Sequence, residues 1–567
     1  MRRIVLGLAA VGLALGAGLG AAVVRTPPGA IEAALRSSVA AGGDLVVEAR
    51  GESSFVLFPK PRLRLEDVRI SDARGTPIAV VRAVVATPRL GALLMGRIEL
   101  DELELKTPVI DAEAIDLKRA AALLKARAPG GAHPPRLRLR DAVVTWTGGR
   151  LDDVDAGAVW PRAGRPLSVT GAAVFRGRRV EALASIGDPL ALLSEGRSGA
   201  KLRLTASGAR LAFEGAATGG ASLRLEGGLG VRLASLRDVI TWVGSAAPAL
   251  AAPLAEVSLS GRATVDRNGV SVTGAELVVD DATLVGAARF GARNGRPLIE
   301  ATLDAGALDV THYVDGFAPL FGSADAWSDA PLDARPFRAV DLDLRLSAGA
   351  VNVGGFRLGA TAATVGVADG VLDVGVGEAA AYGGVVRGGA TIRPDGRAVS
   401  VKIGFTLSGV DSERALEAAT SGTRLSGVVD GDLALEGAGG SIAEIVASLD
   451  GRASARLASD KAIGGFRAKA LALFGLPGRL DVTSAEGTAM IENGVARSED
   501  LKLSGPLASL ALAGAADLKT RRLALAGQLA PLGGAPLRAP VRVEGPIADP
   551  RFRLGPPSPE RRALAPG

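Results

Sequence analysis

The stretch RLRLEDVRI, Arg62 to Ile70, alternates apolar and charged residues through Leu63 and Leu65, steps over Glu66 and Asp67, and resumes through Val68 and Ile70 with its apolar phase moved by one residue. Side chains of a strand point alternately to its two faces, so the alternation predicts a strand with one apolar and one polar face. A one-residue slip in that period marks a β-bulge, and bulges bend and twist a sheet. Two more stretches read the same way: RIELDELEL (Arg97 to Leu105), slipping at Asp101 and Glu102, and RLRLRDAVV (Arg136 to Val144), slipping at Arg140 and Asp141. With Leu65, Leu100 and Leu139 as marks, the phrase recurs at intervals of 35 and 39 residues.

Outward from these phrases, period-two segments dominate the chain, as in LRLTASGARLAFEGAA (Leu202 to Ala217) and ASLRLEGGLGVRL (Ala221 to Leu233). Turn signals punctuate them at Asn268-Gly269, Asn294-Gly295, Asp369-Gly370, Pro394-Asp395-Gly396 and Asn493-Gly494. Such pairs accept the positive φ of tight hairpins, so successive strands are expected to be antiparallel neighbours in a long meander. A few helices interrupt it: residues 26–43; LASLRDVITWVG, with Leu236, Val239, Ile240 and Val243 on one face; DSERALEAATSG; and KALALFG. SIAEIVASL opens with Ser441 and has Glu444 three residues on, a capping box, followed by Ile445, Val446 and Leu449 on one stripe.

Composition narrows the chemistry. The 567 residues are 48% hydrophobic but only 3% aromatic, so Leu, Val and Ala supply the apolar surface. There is no cysteine, which excludes disulfides and thiolate metal sites. The two histidines, His133 and His312, lie far apart. A net charge of +6 is small for this length, and the arginines interleave with apolar residues instead of clustering with aromatics, so nucleic-acid binding has little support. Anionic lipid surfaces remain open as partners.

The N-terminus carries an uncharged run from Ile4 to Val24 behind Arg2 and Arg3. As a helix it reaches roughly 31 Å, about the thickness of a bilayer's hydrocarbon core. Ile4, Leu8, Leu15 and Val24 are among its apolar residues, and Gly12, Gly16 and Gly20 form a small-residue series that lets a second helix approach. The positive-inside rule keeps the two arginines cytoplasmic and exports everything after Arg25. The competing reading is a signal peptide cut near Gly20-Ala21-Ala22; both readings export the body. The organisation is then an anchor with a short cytoplasmic start (1–26), a β region (27–312), a boundary segment rich in Pro, Asp and aromatics (313–340), a second β region (341–553) and a disordered Pro-rich tail (554–567).

With these features in place, the chain resembles the AsmA family of bacterial envelope proteins over nearly its whole length. FVLFPKPRLRLEDVRISD and RLGALLMGRIELDELELKTPVID look like the family's N-terminal region. The C-terminal region is carried by WSDAPLDARPFRAVDLDLRLSAGAVNVGGFRLG, AAAYGGVVRGGATI, TRLSGVVDGDLALEGAGGSIAEIVASLDGRASARLASDKAIGGF and the ending APVRVEGPIADPRFRL. RLDVTSAEGTAMIENGV departs from the pattern, being poorer in phenylalanine. The resemblance implies a mainly β fold: an N-terminal transmembrane helix and an elongated, curled antiparallel sheet body enclosing a hydrophobic β-groove, with a few short helices. It implies a single-pass protein of the bacterial inner membrane, its bulk in the periplasm, linked to phospholipid transport and outer-membrane homeostasis.

On the apolar phase of the repeated phrases stand Leu63, Leu65, Val68, Ile70, Ile98, Leu100, Leu103, Leu105, Leu137 and Leu139. In a curled sheet they are the groove lining; in ordinary closed sandwiches the same residues are plain core. No nucleophile elbow, P-loop, zinc helix or dinucleotide fingerprint is present. GRSGA around Ser198 lacks the second glycine of an elbow, while Asp152-Asp153 and Asp280-Asp281 read as strand ends or turns. Asp430 and Asp432 lack the ligand count of a calcium loop. The reading is therefore a non-enzyme without cofactor or metal, whose partners are membrane phospholipids; the alternative is a scaffold acting on outer-membrane protein assembly through envelope-protein contacts.

Overall fold

The computed structural model describes residues 45–559 except 57–59, 73–74, 96–99, 116–134, 162–164, 194, 220–222, 244–255, 280, 312–326, 333–334, 339, 397, 420–425, 461–463, 468–470, 472–478, 533–536, 548–549 and 556–557. The expected anchor with Ile4, Leu8, Gly12, Leu15, Gly16, Gly20 and Val24, the helix at 26–43, Ile98 and both histidines lie outside the described residues. Among those described, no helix is long and apolar enough to cross a membrane. The chain is mainly β and divides into two units, residues 1–244 with 255–275 and residues 245–254 with 276–567.

The first unit runs β1 (Leu45–Ala49), β2 (Ser53–Val56), β3 (Arg62–Asp72), β4 (Pro77–Pro88), β5 (Leu100–Asp111), β6 (Arg136–Trp146), β7 (Gly149–Val159), β8 (Leu167–Phe175), β9 (Arg178–Ile186), β10 (Arg197–Ala206), β11 (Ala209–Thr218), β12 (Arg224–Leu233) and β13 (Val257–Asp266). The division between units falls within β14 (Gly269–Val279). From β3 to β13 each strand pairs antiparallel with the next, except that β5 and β6 are parallel, with Leu103 opposite Leu137 and Leu105 opposite Leu139. The expected meander is thus interrupted by a crossover between Asp111 and Arg136, as parallel pairing requires a long return. Short helices α1 (Leu90–Leu94), α2 (Pro189–Leu193) and α3 (Leu236–Trp242) fill other connections.

The apolar slip in each phrase is structural. Leu63 and Leu65 precede Asp67, Val68 and Ile70 follow it, and all four apolar residues are buried. Asp67 has φ +48°, a left-handed conformation that turns the following side chains back to the same face. In β6, Asp141 (φ +50°) does the same between Leu139 and Ala142. In β5 the register slips at Asp101, where Pro88 faces Leu100 and Thr87 faces Glu102. A second shift, at Thr107 (φ +50°), buries Ile110 completely and leaves Val109 50% exposed. The equivalents are therefore Leu65, Leu105 and Leu139, 40 and 34 residues apart, a correction to the marks read from sequence. Val109 sits on the phase that Leu103 and Leu105 predict, which hid the second slip.

These positions lie level across adjacent strands. Val81 and Ala83 of β4, flanking Arg82, face Val68 and Glu66 on one side and Pro108 and Lys106 on the other. Lys106 faces Arg140, and the Asp141 backbone N–H donates to Asp155 Oδ1 (3.3 Å) beside Asp153 (φ +48°) in β7. A transverse crease thus crosses β3 to β7. A β-branched residue is strained in the left-handed region, so Asp67→Val should lower the unfolding free energy by about 1–2 kcal/mol in a denaturant titration. Asp67→Gly should change it little.

The second unit contains β15 (Ala282–Arg293), β16 (Arg296–Asp309), β17 (Asp341–Val353), β18 (Phe356–Leu358), β19 (Thr361–Ala368), β20 (Val371–Ala381), β21 (Gly384–Asp395), β22 (Ala398–Asp411), β23 (Val428–Gly439) and β24 (Asp450–Ala458). A two-stranded ladder, β25 (Gly464–Arg467) with β26 (Arg479–Val482), follows. Then come β27 (Ser484–Glu492), β28 (Val495–Ser504), β29 (Ala508–Asp517), β30 (Arg522–Pro531), β31 (Leu537–Pro546), β32 (Arg551–Leu554) and β33 (Ser558–Pro559), with helices α4 (Ser412–Ala419) and α5 (Ile442–Ala447). Pairing is antiparallel except between β16 and β17, so this unit also has one crossover, and it holds the segment 313–340. The Arg296 guanidinium and the buried Asp341 carboxylate, at the starts of those two strands, approach to 2.8 Å, close as charges but not aligned as a hydrogen bond. β33 pairs with Leu537 and Arg538, so strand pairing reaches into the expected tail.

Hairpins at Asn294-Gly295, Asp369-Gly370 and Asn493-Gly494 have two consecutive positive φ values, as their sequences require. Helix α5 has the expected N-cap, Ser441, whose Oγ accepts from Glu444 N (3.2 Å), while Glu444 Oε2 accepts from Gly440 N (2.7 Å), one residue before the cap. Its Ile442, Ile445 and Val446 close over Val399, Val401 and Ile491.

Candidate functional site

Nine of the ten lining residues proposed from sequence, all but Ile98, converge in one closed cluster on β3, β5 and β6, none more than 6% exposed. Their side chains face protein. This is a core, completed by Val81, Val84, Val144, Trp160 and Leu167, and any ligand there would have to displace it. Each fully buried Leu contributes roughly 1.5–3 kcal/mol, which explains why the slips are built to keep them inside.

Farther along the same sheet the burial changes. Cross-strand partners put Ala182, Leu204, Leu211, Val231 and Leu259 in one row over β9 to β13, and Ala184, Leu202, Phe213, Leu229 and Gly261 in the next. Apart from the buried Phe213, these are only half-buried although they lie mid-strand on the apolar phase. The opposite face is polar, with Lys201 and Glu214 paired across β10 and β11 (2.6 Å). Gly215 and Gly227 face one another beside the two rows, and a Cβ on either would lie about 2.5 Å from the other's Cα, so the strands can approach this closely only as glycines.

The second unit carries its own strip. Val365, Val374, Ala390, Ile403 and Leu435 share a row over β19 to β23, and Ala363, Val376, Gly388, Phe405 and Leu433 the next; all are half-buried. Alternation reports which face of a strand is apolar and not whether anything covers it, so the sequence does not separate these half-buried rows from the buried cluster on β3, β5 and β6.

The carboxylates weighed as chemical groups serve the backbone. Asp430 Oδ1 accepts from Gly409 N (2.8 Å) at a bulge of β22, and Asp432 Oδ1 accepts from Thr406 Oγ1 (2.8 Å). Asp152 is engaged by Arg150, and Ser198, buried, accepts from Asp188 N (2.7 Å). Among the described residues no group of three or more His, Asp or Glu side chains could hold a metal ion. Asp500 bridges a bulge between β27 and β28: its oxygens accept from Thr488 N (2.8 Å) and Thr488 Oγ1 (2.7 Å), which hold its carboxyl below the ordinary value of 3.8. A depressed pKa gives stability that is present above 3.8 and is lost as pH falls through the lower folded value. Hydrogen exchange at Thr488 should therefore stay slow at pH 4 and accelerate at lower pH, and Asp500→Asn should abolish that step.

Compared with protein-family models, with curated proteins and with solved structures, the chain gives no match.

Proposed function

We propose that the protein is a non-enzymatic envelope protein that shields phospholipid acyl chains on the half-buried apolar strips of its sheets and supports lipid transfer from the inner membrane toward the outer membrane. The observation that carries this reading is the contrast within one sheet: the apolar face is buried over much of β3 to β7, whereas the two rows crossing β9 to β13 are half-buried apart from Phe213. Each methylene transferred from water to such a surface contributes about 0.8 kcal/mol, so ten of them gain roughly 8 kcal/mol before ordering costs. The apolar N-terminus, which would hold the body at the periplasmic face of the inner membrane, and the resemblance to the AsmA family support the same assignment. Native mass spectrometry of the whole chain released from detergent tests it: phospholipid retained at defined stoichiometry is the expected result. A lipid-free chain that crosslinks to outer-membrane assembly proteins would instead favour the scaffold reading.

A further inference from the structure

In a chain with four tryptophans and 3% aromatic residues, three rings meet at one end of the first unit. Trp146 closes β6, Phe175 closes β8 and Trp242 ends α3; Trp146 stacks on Phe175 (6.1 Å between centroids) and Trp242 meets Phe175 edge-on (5.8 Å). Trp242 Nε1 donates to the Phe175 carbonyl (2.8 Å), and Ala234 N donates to Gly208 O (2.8 Å), so α3 is tied to the β8–β9 and β10–β11 hairpins. The expected apolar face of α3 is not what holds it: none of its residues is buried, and Val243, the next residue, is 46% exposed.

Two arginines complete the cluster. The Arg176 guanidinium lies 5.6 Å from the Phe175 centroid and that of Arg178 lies 5.4 Å from the Trp242 centroid. A cation over a ring is held through its face, which leaves its edge N–H groups free to donate. Neither guanidinium forms an ion pair among the described residues, whereas Arg179 is paired with Glu181 (3.8 Å) and Arg232 with Glu256 (3.8 Å). Over the two hairpins and α3, Arg176, Arg178, Arg210 and Arg237 stand against one uncompensated carboxylate, Asp238; Glu113, near Trp146, accepts from Thr147 N (3.1 Å) and Oγ1 (2.8 Å). Half-buried rings next to guanidinium groups without carboxylate partners match the boundary of a bilayer whose headgroups are anionic.

We infer that this aromatic–arginine end of the first unit docks on the surface of an anionic lipid bilayer. The inference needs no cargo on the apolar strips and stands or falls separately from the acyl-chain reading.

The test is lipid quenching of tryptophan emission from the full chain reconstituted in vesicles, in a protein that keeps Trp242 alone, the other three tryptophans being changed to Phe. The vesicles contain phosphatidylcholine brominated either near the carbonyl or near the chain end, with or without phosphatidylglycerol. Docking predicts that Trp242 is quenched only when phosphatidylglycerol is present, more by shallow than by deep bromine, and that salt reverses it. Arg176→Gln and Arg178→Gln should each lower the docked population about fivefold, with near-ultraviolet circular dichroism reporting the intact ring cluster. No quenching, quenching independent of headgroup charge, or equal quenching by shallow and deep bromine, as lipid taken up as cargo would give, overturns the proposal. So does equal quenching of a protein that keeps Trp327 alone. Crosslinking of this end to an envelope protein in the absence of such quenching would assign the surface to a protein partner and overturn it as well.

Discussion

The Leu103→Asp protein is expected to lose the fold of its first unit. Leu103 is fully buried between Ala86 of β4 and Leu137 of β6, its register partners, and the charged face of the sheet is out of its reach. The substitution removes roughly 1.5–3 kcal/mol of burial and adds the several kcal/mol cost of an unpaired polar group in an apolar site. The sum rivals the 5–15 kcal/mol that holds a typical domain. Far-ultraviolet circular dichroism and limited proteolysis should show β3 to β8 opened in this variant, while Leu103→Ala, costing about 2–5 kcal/mol, leaves a folded protein with a lower melting temperature. A folded Leu103→Asp protein would mean that this cluster is open to water after all. Loss of lipid from a variant this damaged would say nothing about a groove, so the functional test belongs elsewhere.

It belongs on the half-buried strip. Leu204 and Leu211 face one another across β10 and β11. Leu204→Asp with Leu211→Asp puts two carboxylates on a surface that already meets solvent, so the structural cost is modest, including about 0.2–1 kcal/mol from like charges opposite one another. For an acyl chain lying over them the cost is large, because burying two carboxylates forfeits several kcal/mol of hydration. Phospholipid retained by the purified chain should fall at least tenfold, with the melting temperature nearly unchanged. Ala212→Asp, one residue away on the exposed polar face, should retain lipid at the unmodified level. Unaltered lipid content in the double variant would remove the strip of the first unit from the account.

How much of this was readable in the sequence depends on what each signal reports. Strand alternation and the Asn-Gly and Asp-Gly pairs are local, and they place the β body, its two-faced strands and the tight hairpins. The slips at Asp67 and Asp141 were legible because the apolar phase itself moves across an acidic residue that tolerates positive φ. Thr107 was not: a β-branched residue before a proline signals neither a turn nor a left-handed residue, and Val109 mimics an unbroken alternation. The hairpins at Arg176-Gly177 and Tyr382-Gly383 also take two positive φ values with only the glycine to announce them. The parallel pairs were invisible, since pairing direction depends on where a distant connection returns. The same holds for burial: Leu65 and Leu204 lie in nearly identical local sequences, RLRLE and KLRLT, yet one is 5% exposed and the other half-buried, because neighbouring strands and not the strand itself decide what covers each.

That acyl chains lie on the half-buried strips is the proposal on which the function rests. It is tested most directly by placing a photoactivatable phenylalanine analogue at Leu211, Val231 or Leu433, and in separate proteins at Glu214 or Glu436 on the polar faces, then irradiating cells and analysing the adducts by mass. Phospholipid adducts are expected at the three strip positions and none at the two polar ones. Adducts absent from the strip positions, or equally abundant on both faces, would contradict it.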